Sequence, residues 1–435
     1  MTTALNQFKG KRHDITLLAG MTALYFFSYF NRVAIPGTIF NEIQTDLGLS
    51  AAAVTALGAI FLYIYGGAQL FIGILADRYG GLKTLLVGGG FMCAGSLLFP
   101  LAHSLPLLYF SRALAGFGSS FMYLCIIKEL DRRFGGANFA PIMGMAYFIG
   151  FSGGLFGTLP YEQLARVMGW RQSLLAIAIL STLVLALIGY ISRRHLSARH
   201  QPTEFRLATL WQLFRNRAYL CVLACAAINY GLYFILQATI GKKFLEDYAG
   251  LASSTAATVT SVMMIGGMAT AVLSGVISRL CDNRRKGFMV AATLATLLGC
   301  GLLLAGIRLH SGGWYFAACY VLLALSSGFS TIFISSTREL CPSDAVGIAI
   351  GVINSTLYLF IAGAANISGI VLNQFADRAV KTATSVIYPP EAYATIFGVM
   401  AALAVVSFVI SLFTRETYGR HVNAVRAAGG STAAG

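Results

Sequence analysis

Gly73-Ile74-Leu75-Ala76-Asp77-Arg78-Tyr79-Gly80-Gly81-Leu82-Lys83 is a short charged interruption between two long apolar runs, residues 51–76 and 83–102. Gly73 permits close helix approach, and Gly80 lets the chain reverse tightly. Asp77 and Arg78 set opposite charges side by side where the apolar runs meet water. A hairpin of two apolar helices with a charged turn is the unit of a membrane-embedded bundle.

The same pattern repeats along the chain. Apolar runs of roughly twenty residues, the length that crosses a hydrocarbon core of about 30 Å, fall at 15–40, 51–76, 83–102, 106–127, 141–160, 171–191, 217–240, 254–278, 287–308, 314–336, 345–371 and 393–413. Hydrophobic residues make up 57% of the chain and charged ones 11%, with a mean hydropathy of +0.73. A soluble chain would be about one quarter charged. The expectation is an all-α polytopic membrane protein of twelve transmembrane helices. Its organisation is read as a six-helix bundle over 1–191, a cytoplasmic linker over 192–216, a second six-helix bundle over 217–414 and a cytoplasmic tail over 415–435. Within the linker, 207–214 is expected to form a short interfacial helix, and the low-complexity segment after Arg426 to be disordered.

The net charge of +15 does not call for a nucleic acid. With the N-terminus inside, 22 of the 31 Lys and Arg fall in cytoplasmic segments and 7 in outer loops. That asymmetry follows the positive-inside rule and puts both termini in the cytoplasm. The eight cysteines lie in spans or at their cytoplasmic ends, so no disulfide framework is expected. Cys221 and Cys225 share a helix face but lack a nearby His or acid, so no metal site is assigned. The first apolar run leads into Pro36-Gly37 and further spans, which reads as a helix and not a removable signal. No phosphate-binding or dinucleotide-binding pattern and no nucleophile–base constellation is present. The chain reads as a non-enzyme without a cofactor.

The two halves are weakly alike. Gly73 and its surroundings align with Gly275 at an offset of 202 residues, and Lys128-Glu129-Leu130 recurs as Arg338-Glu339-Leu340. A parallel repeat predicts such matches at equivalent places. The stretch from Gly73 to Lys83 resembles the cytoplasmic signature of the major facilitator superfamily, G-x-L-A-D-R-x-G-R-K. Gly81-Leu82 departs from it by replacing two basic residues, and Arg279 stands where a second-half Asp would align. The resemblance implies two six-helix halves working by alternating access, and a gating role for Gly73, Asp77, Arg78, Gly80 and Arg132. It pairs Asp77 with a helix N-terminus and with Arg132 or Arg133.

Two arginines lie inside apolar runs. A guanidinium in hydrocarbon normally faces a partner or a wet cavity, and all sixteen acidic residues map to loops or span ends. A bound anion is the simplest partner. Tyr25, Tyr29, Arg32 and Pro36 recur at steps of four, three and four, which place them on one helix face. Arg112, Gly116, Ser119 and Tyr123 repeat those steps. Tyr230, Tyr233 and Gln237 in the seventh span, with Asn354 and Tyr358 in the eleventh, complete the candidate substrate site. Arg32 lies about 25 Å from the inner edge and Arg112 about 9 Å from the outer edge, at 1.5 Å per residue. Two guanidiniums at one level suit a carboxylate or phosphate. Two alternatives stand beside this: Arg32 snorkelling to the outer surface, and Arg112 bonded to backbone carbonyls in span 1 or 5. Gly150, Gly153, Gly154 and Gly157 in span 5 mark a surface for sliding or for static packing.

The arginine in span 1 resembles the anion:cation symporter and organophosphate:phosphate antiporter branches, which imply that it holds the anionic group of the substrate. The second arginine that the resemblance places in span 7 of phosphate-ester exchangers has no counterpart here, only Lys242-Lys243 at the outer end, which favours carboxylates. The expected function is secondary transport of a small organic anion by a monomer in the inner (plasma) membrane. Glu129 and Asp131 are the candidates for proton coupling; protonation of the substrate, exchange of one anion for another and no coupling are the alternatives. A proton-coupled drug or metabolite exporter and a transporter-like substrate sensor are the rival readings.

Overall fold

The computed structural model describes residues 12–134, 139–193, 207–342 and 345–421. The low-complexity tail lies outside them. The helices are α1 (Arg12–Ala34), α2 (Phe40–Asp46), α3 (Ala51–Tyr79), α4 (Gly81–Leu101), α5 (Leu105–Phe134), α6 (Phe139–Phe156), α7 (Leu159–Met168), α8 (Trp170–Ser192), α9 (Leu207–Arg215) and α10 (Arg217–Ile235). After a π-helical turn at Leu236–Ile240 follow α11 (Gly241–Asp247), α12 (Ser253–Leu280), α13 (Lys286–Arg308), α14 (Gly313–Ser327), α15 (Ser330–Leu340), α16 (Val346–Gln374) and α17 (Pro390–Leu412). The strands β1 (Val380–Lys381) and β2 (Val386–Ile387) pair antiparallel between α16 and α17.

Among the described residues, ten helical segments are long and apolar enough to cross a bilayer, and the pair from α6 and α7, bent by 44°, makes an eleventh. Helix α1, which carries Asp14 and Arg32, stands outside that count. Many large apolar side chains face outward, among them Phe148, Leu183 and Val272. That surface is the reverse of a soluble protein's and fits lipid.

The expected spans sit on the observed helices, with four local corrections. Span 1 ends at Ala34, because Pro36 has no N–H to continue the ladder, and Phe40–Asp46 is a separate short helix. Span 5 stops at Phe156, and Pro160 opens the bent, amphipathic α7. Span 10 breaks at Gly328, where a Cβ would stand 2.4 Å from Thr270 Cβ. The loop after α16 holds the small β-hairpin, for which the sequence offered no turn signal.

The chain divides by packing into two units, Met1–Ile35 with Ile60–Phe205, and Pro36–Ala59 with Arg206–Gly435. In the first unit α4 packs along α5, and α1 lies against α6 and α8. The contact between α1 and α6 runs through glycine: a Cβ at Gly153 would stand 2.0 Å from the Phe26 carbonyl oxygen. Gly80, with φ of 88°, makes the reversal between α3 and α4. Gly73 departs from expectation, since a Cβ there would meet nothing within 4 Å. Close packing is not its role in this conformation.

In the second unit α10 lies against α16 and α17, and α13 against α14 and α17. Val222, Cys225, Met289, Ala292, Ile332 and Phe333 form a core cluster. Asn229 Nδ2 donates to the Ser326 carbonyl at 3.3 Å, and its Oδ1 accepts from the Thr296 hydroxyl. Such bonds satisfy polar groups away from water. The interfacial helix is α9, with Trp211 and Phe214 exposed, and Asn216 caps α10 by accepting from Tyr219 N.

Candidate functional site

The first unit gathers an aromatic array around Arg32. Tyr25, Tyr29 and Arg32 share the buried face of α1. The Tyr25 ring stacks 6.2 Å from Tyr123 of α5, and the Tyr123 and Tyr147 hydroxyls are hydrogen-bonded. Tyr29 packs 4.5 Å from Phe151 of α6. The Arg32 guanidinium carbon lies 4.6 Å from the Tyr29 ring centre and 4.2 Å from that of Tyr65 on α3, and the residue is 3% exposed. Snorkelling to the surface is therefore not what Arg32 does here. Ring faces stabilise a cation electrostatically, yet bring no negative charge of their own, unlike a carboxylate.

Arg112 has a different environment. Its Nη1 donates to the Asn31 carbonyl at 3.0 Å and its Nη2 to the Ile35 carbonyl at 3.1 Å. The guanidinium also lies over the Phe61 ring at 4.5 Å, with the residue 1% exposed. The last carbonyls of a helix lack intrahelical donors and carry the negative end of its dipole. Arg112 supplies donors to two carbonyls of this end, those of Asn31 and Ile35. Arg171 repeats the device at the end of α4, donating to Pro100 O at 2.8 Å and Ala102 O at 2.9 Å.

Sequence reading missed Tyr65, Tyr147, Phe151 and Gln69. A signal existed for α3: Phe61, Tyr65 and Gln69 stand at steps of four, the spacing that was used on α1. Gln69 is buried and donates to the Ser120 carbonyl at 3.1 Å.

In the second unit Tyr230 and Tyr233 have ring centres 5.7 Å apart, and Tyr233 points its hydroxyl at Met264 Sδ, 3.8 Å away. Gln237 lies in the π-helical turn, 2% exposed, and neither atom of its side-chain amide has a hydrogen-bond partner among the described residues. π-Turns inside α-helices are frequent at functional sites. An unsatisfied buried amide is costly unless a ligand completes it. Asn354 is half-buried and Tyr358 buried on α16, which packs against α10.

The ends of α5 and α15 carry charge networks. Glu129 Oε1 accepts from Leu82 N at 2.9 Å, in the first turn of α4, and its Oε2 from Arg132 at 2.6 Å and Arg133 at 3.0 Å. Arg133 also pairs with Asp14. The helix N-terminus and arginine partners that the resemblance assigned to Asp77 are thus held by Glu129. The side chains of Asp77 and Asp131 lie outside the described residues, while Arg78 is exposed. In the second unit Glu339 pairs with Arg285 at 2.9 Å, beside the start of α13. Glu129 and Glu339 are the two acids of the matching tripeptides, but only Glu129 takes a backbone N–H of the next helix; at the start of α13 the Arg285 and Lys286 N–H groups go to Glu416.

A multi-span helical bundle with large apolar side chains facing outward defines an integral membrane protein in class. The Major Facilitator Superfamily profile matches residues 21–366, and the chain belongs to that superfamily of transporters: an integral membrane protein of twelve helices in two pseudo-symmetric six-helix bundles. The chain is 22% identical over 392 residues to the probable sulfoacetate transporter SauU of Cupriavidus necator, covering 84% of this chain and 88% of the relative. It is 25% identical over 351 residues to the probable galactarate/D-glucarate transporter GudP of Bacillus subtilis, covering 72% and 76%. The crystal structure of the peptide transporter POT in complex with sulfate superposes with a TM-score of 0.73 at 16% identity, covering 92% of this chain and 94% of that one. At that identity the likeness speaks for the fold alone.

Proposed function

We propose that this transporter moves a small organic anion, a carboxylate in preference to a phosphate ester, by alternating access of its two six-helix bundles, 1–191 and 217–414. The carrying observation is Arg32, buried beneath the rings of Tyr29 and Tyr65. Burying a guanidinium in a membrane protein is costly, and a carrier that must release its anion has reason to hold the charge with aromatic faces. Tyr25 and Tyr123 of the same unit supply hydroxyl groups for the rest of the solute, and Tyr230, Tyr233, Gln237, Asn354 and Tyr358 form a separate polar set of the second unit. Arg112 is assigned to fixing α1 and not to the solute. The names of the two relatives, which speak of sulfoacetate and of galactarate and D-glucarate, are names of anions.

The protein then acts as a monomeric non-enzyme in the inner (plasma) membrane, with the linker 192–216, the tail 415–435 and both termini cytoplasmic. Gly73, Asp77, Arg78, Gly80 and Arg132 serve the inner turn. Glu129, saturated by a backbone N–H and two arginines, is a poor proton carrier in this conformation, so coupling through the substrate's own proton or by anion exchange is favoured.

The test is uptake and counterflow in proteoliposomes with labelled mono- and dicarboxylates and phosphate esters, wild type against Arg32→Gln, at two pH gradients. Saturable anion flux that Arg32→Gln abolishes is expected. Flux of neutral or cationic compounds indifferent to Arg32 would replace this reading with the exporter, and binding without flux would replace it with the sensor.

A further inference from the structure

At the end of the seventh span stands a buried charge cluster that solute recognition does not use. Lys243 of α11 is fully buried, and so is the carboxylate of Asp247, one turn on, with the pair 3.1 Å apart. Lys243 Nζ also donates to Asn41 Oδ1 at 2.7 Å and to the Val386 carbonyl at 2.8 Å. Asp247 Oδ2 accepts from the Tyr393 hydroxyl at 2.6 Å and from Tyr388 N at 3.2 Å. Beside them Lys242 donates to the Thr38 carbonyl at 2.8 Å and pairs with Glu246 at 3.0 Å, while Glu246 accepts from Asn41 Nδ2 at 2.7 Å. The Gln44 amide donates to the Tyr388 hydroxyl at 2.9 Å. Four segments therefore meet on one lysine–aspartate pair: the hairpin 36–59, α11, the segment around β2, and the start of α17.

These bonds are of a kind that breaks as a set. A buried ion pair does little for net stability when whole, but removing one partner strands a charge. The hairpin 36–59 contributes Thr38, Asn41 and Gln44, and its two flanking helices run into the other packing unit. By the distribution of basic residues it lies on the side opposite the termini.

We propose that Lys243 and Asp247 form a latch that holds the hairpin 36–59 docked, and that undocking of this hairpin is a step of the transport cycle. Lys243 supplies the bonds that reach out to Asn41 and Val386, and Asp247 keeps the lysine charged and aimed. The proposal depends on the chain being a transporter and not on which solute it carries.

Thr38 is 2% exposed and reports docking. Thr38→Cys is placed in a background where Cys221 and Cys281, the native thiols that are not buried, are serine. Labelling by a membrane-impermeant maleimide is timed from the side opposite the termini. Asn41→Ala, Lys243→Met and the charge-neutral double variant Lys243→Met/Asp247→Asn are each expected to raise the labelling rate about tenfold or more, tenfold being the effect of about 1.4 kcal/mol. Labelling of buried Cys300 marks a variant that has unfolded, and the decision then rests on Asn41→Ala, which leaves the ion pair intact. Parent-like labelling in Asn41→Ala and in the double variant would overturn the latch.

Discussion

Arg112 Nη1 donates to the main-chain oxygen of Asn31 at 3.0 Å, so the second membrane arginine closes the end of the helix that carries the first. Asn31 and Ile35, its two acceptors, flank Arg32 in sequence. In the proposed function one arginine meets the solute and the other holds the first in position.

Substitution separates the two roles. Arg112→Gln removes a charged donor from two carbonyls and is expected to lower stability by about 3 kcal/mol, the scale of charge-assisted bonds. It should show as early loss of monodispersity on heating in detergent. Arg32→Gln should leave that temperature nearly unchanged while abolishing anion flux. Equal thermal losses in both would contradict the assignment.

Tyr65 acts on Arg32 through its ring face. Tyr65→Phe keeps the face and is expected to keep transport affinity. Tyr65→Leu loses it and should weaken the apparent affinity about fivefold, on the basis of about 1 kcal/mol for such a contact. Half-saturation constants for uptake decide the matter.

Glycine positions should differ sharply. Gly153→Ala places a methyl 2.0 Å from the Phe26 oxygen, and overpacking of this kind costs about 1–3 kcal/mol. Gly73→Ala enters open space and should leave thermal stability at the wild-type value. A destabilised Gly73→Ala would mean that this glycine packs in another conformation.

Thiol chemistry gives a test independent of transport. Cys341 lies just beyond α15, 1% exposed, and burial pushes its thiol up to about 11. A raised value means less thiolate at a given pH: at pH 8 only about one part in a thousand is reactive. Cys281 is exposed. Iodoacetamide at pH 8 should therefore modify Cys281 well before Cys341, with Cys341 gaining as pH rises toward 11, as read by peptide mass mapping. Equal rates at pH 8 would show that the end of α15 opens.

The helices were legible because hydropathy reports a one-dimensional quantity, the length of chain that prefers lipid, and Pro36, Gly80 and Asn216 mark ends by local backbone chemistry. The array around Arg32 was half legible. Tyr25, Tyr29 and Tyr123 followed from helical spacing, and Tyr65 and Gln69 lay open to the same argument on α3. The acceptors of Arg112 were not legible, since main-chain oxygens have no sequence signature. Asp247 misled more deeply. Lys242-Lys243 and Glu246-Asp247 look like a solvated span end, and they are buried by Asn41, Tyr388 and Tyr393, which are remote in sequence. The π-turn that carries Gln237 left no trace in composition.

The hairpin 36–59 lies in the N-terminal part of the chain yet packs with residues from 206 onward. A gene cut in the 192–216 linker would therefore not yield two self-sufficient products. The C-terminal fragment, made alone, would present Lys243 and the Val386 carbonyl without Asn41, while the N-terminal fragment would carry the missing piece unseated. Co-expression should rescue the C-terminal fragment from proteolysis, and even a 36–59 peptide added in trans should slow its degradation.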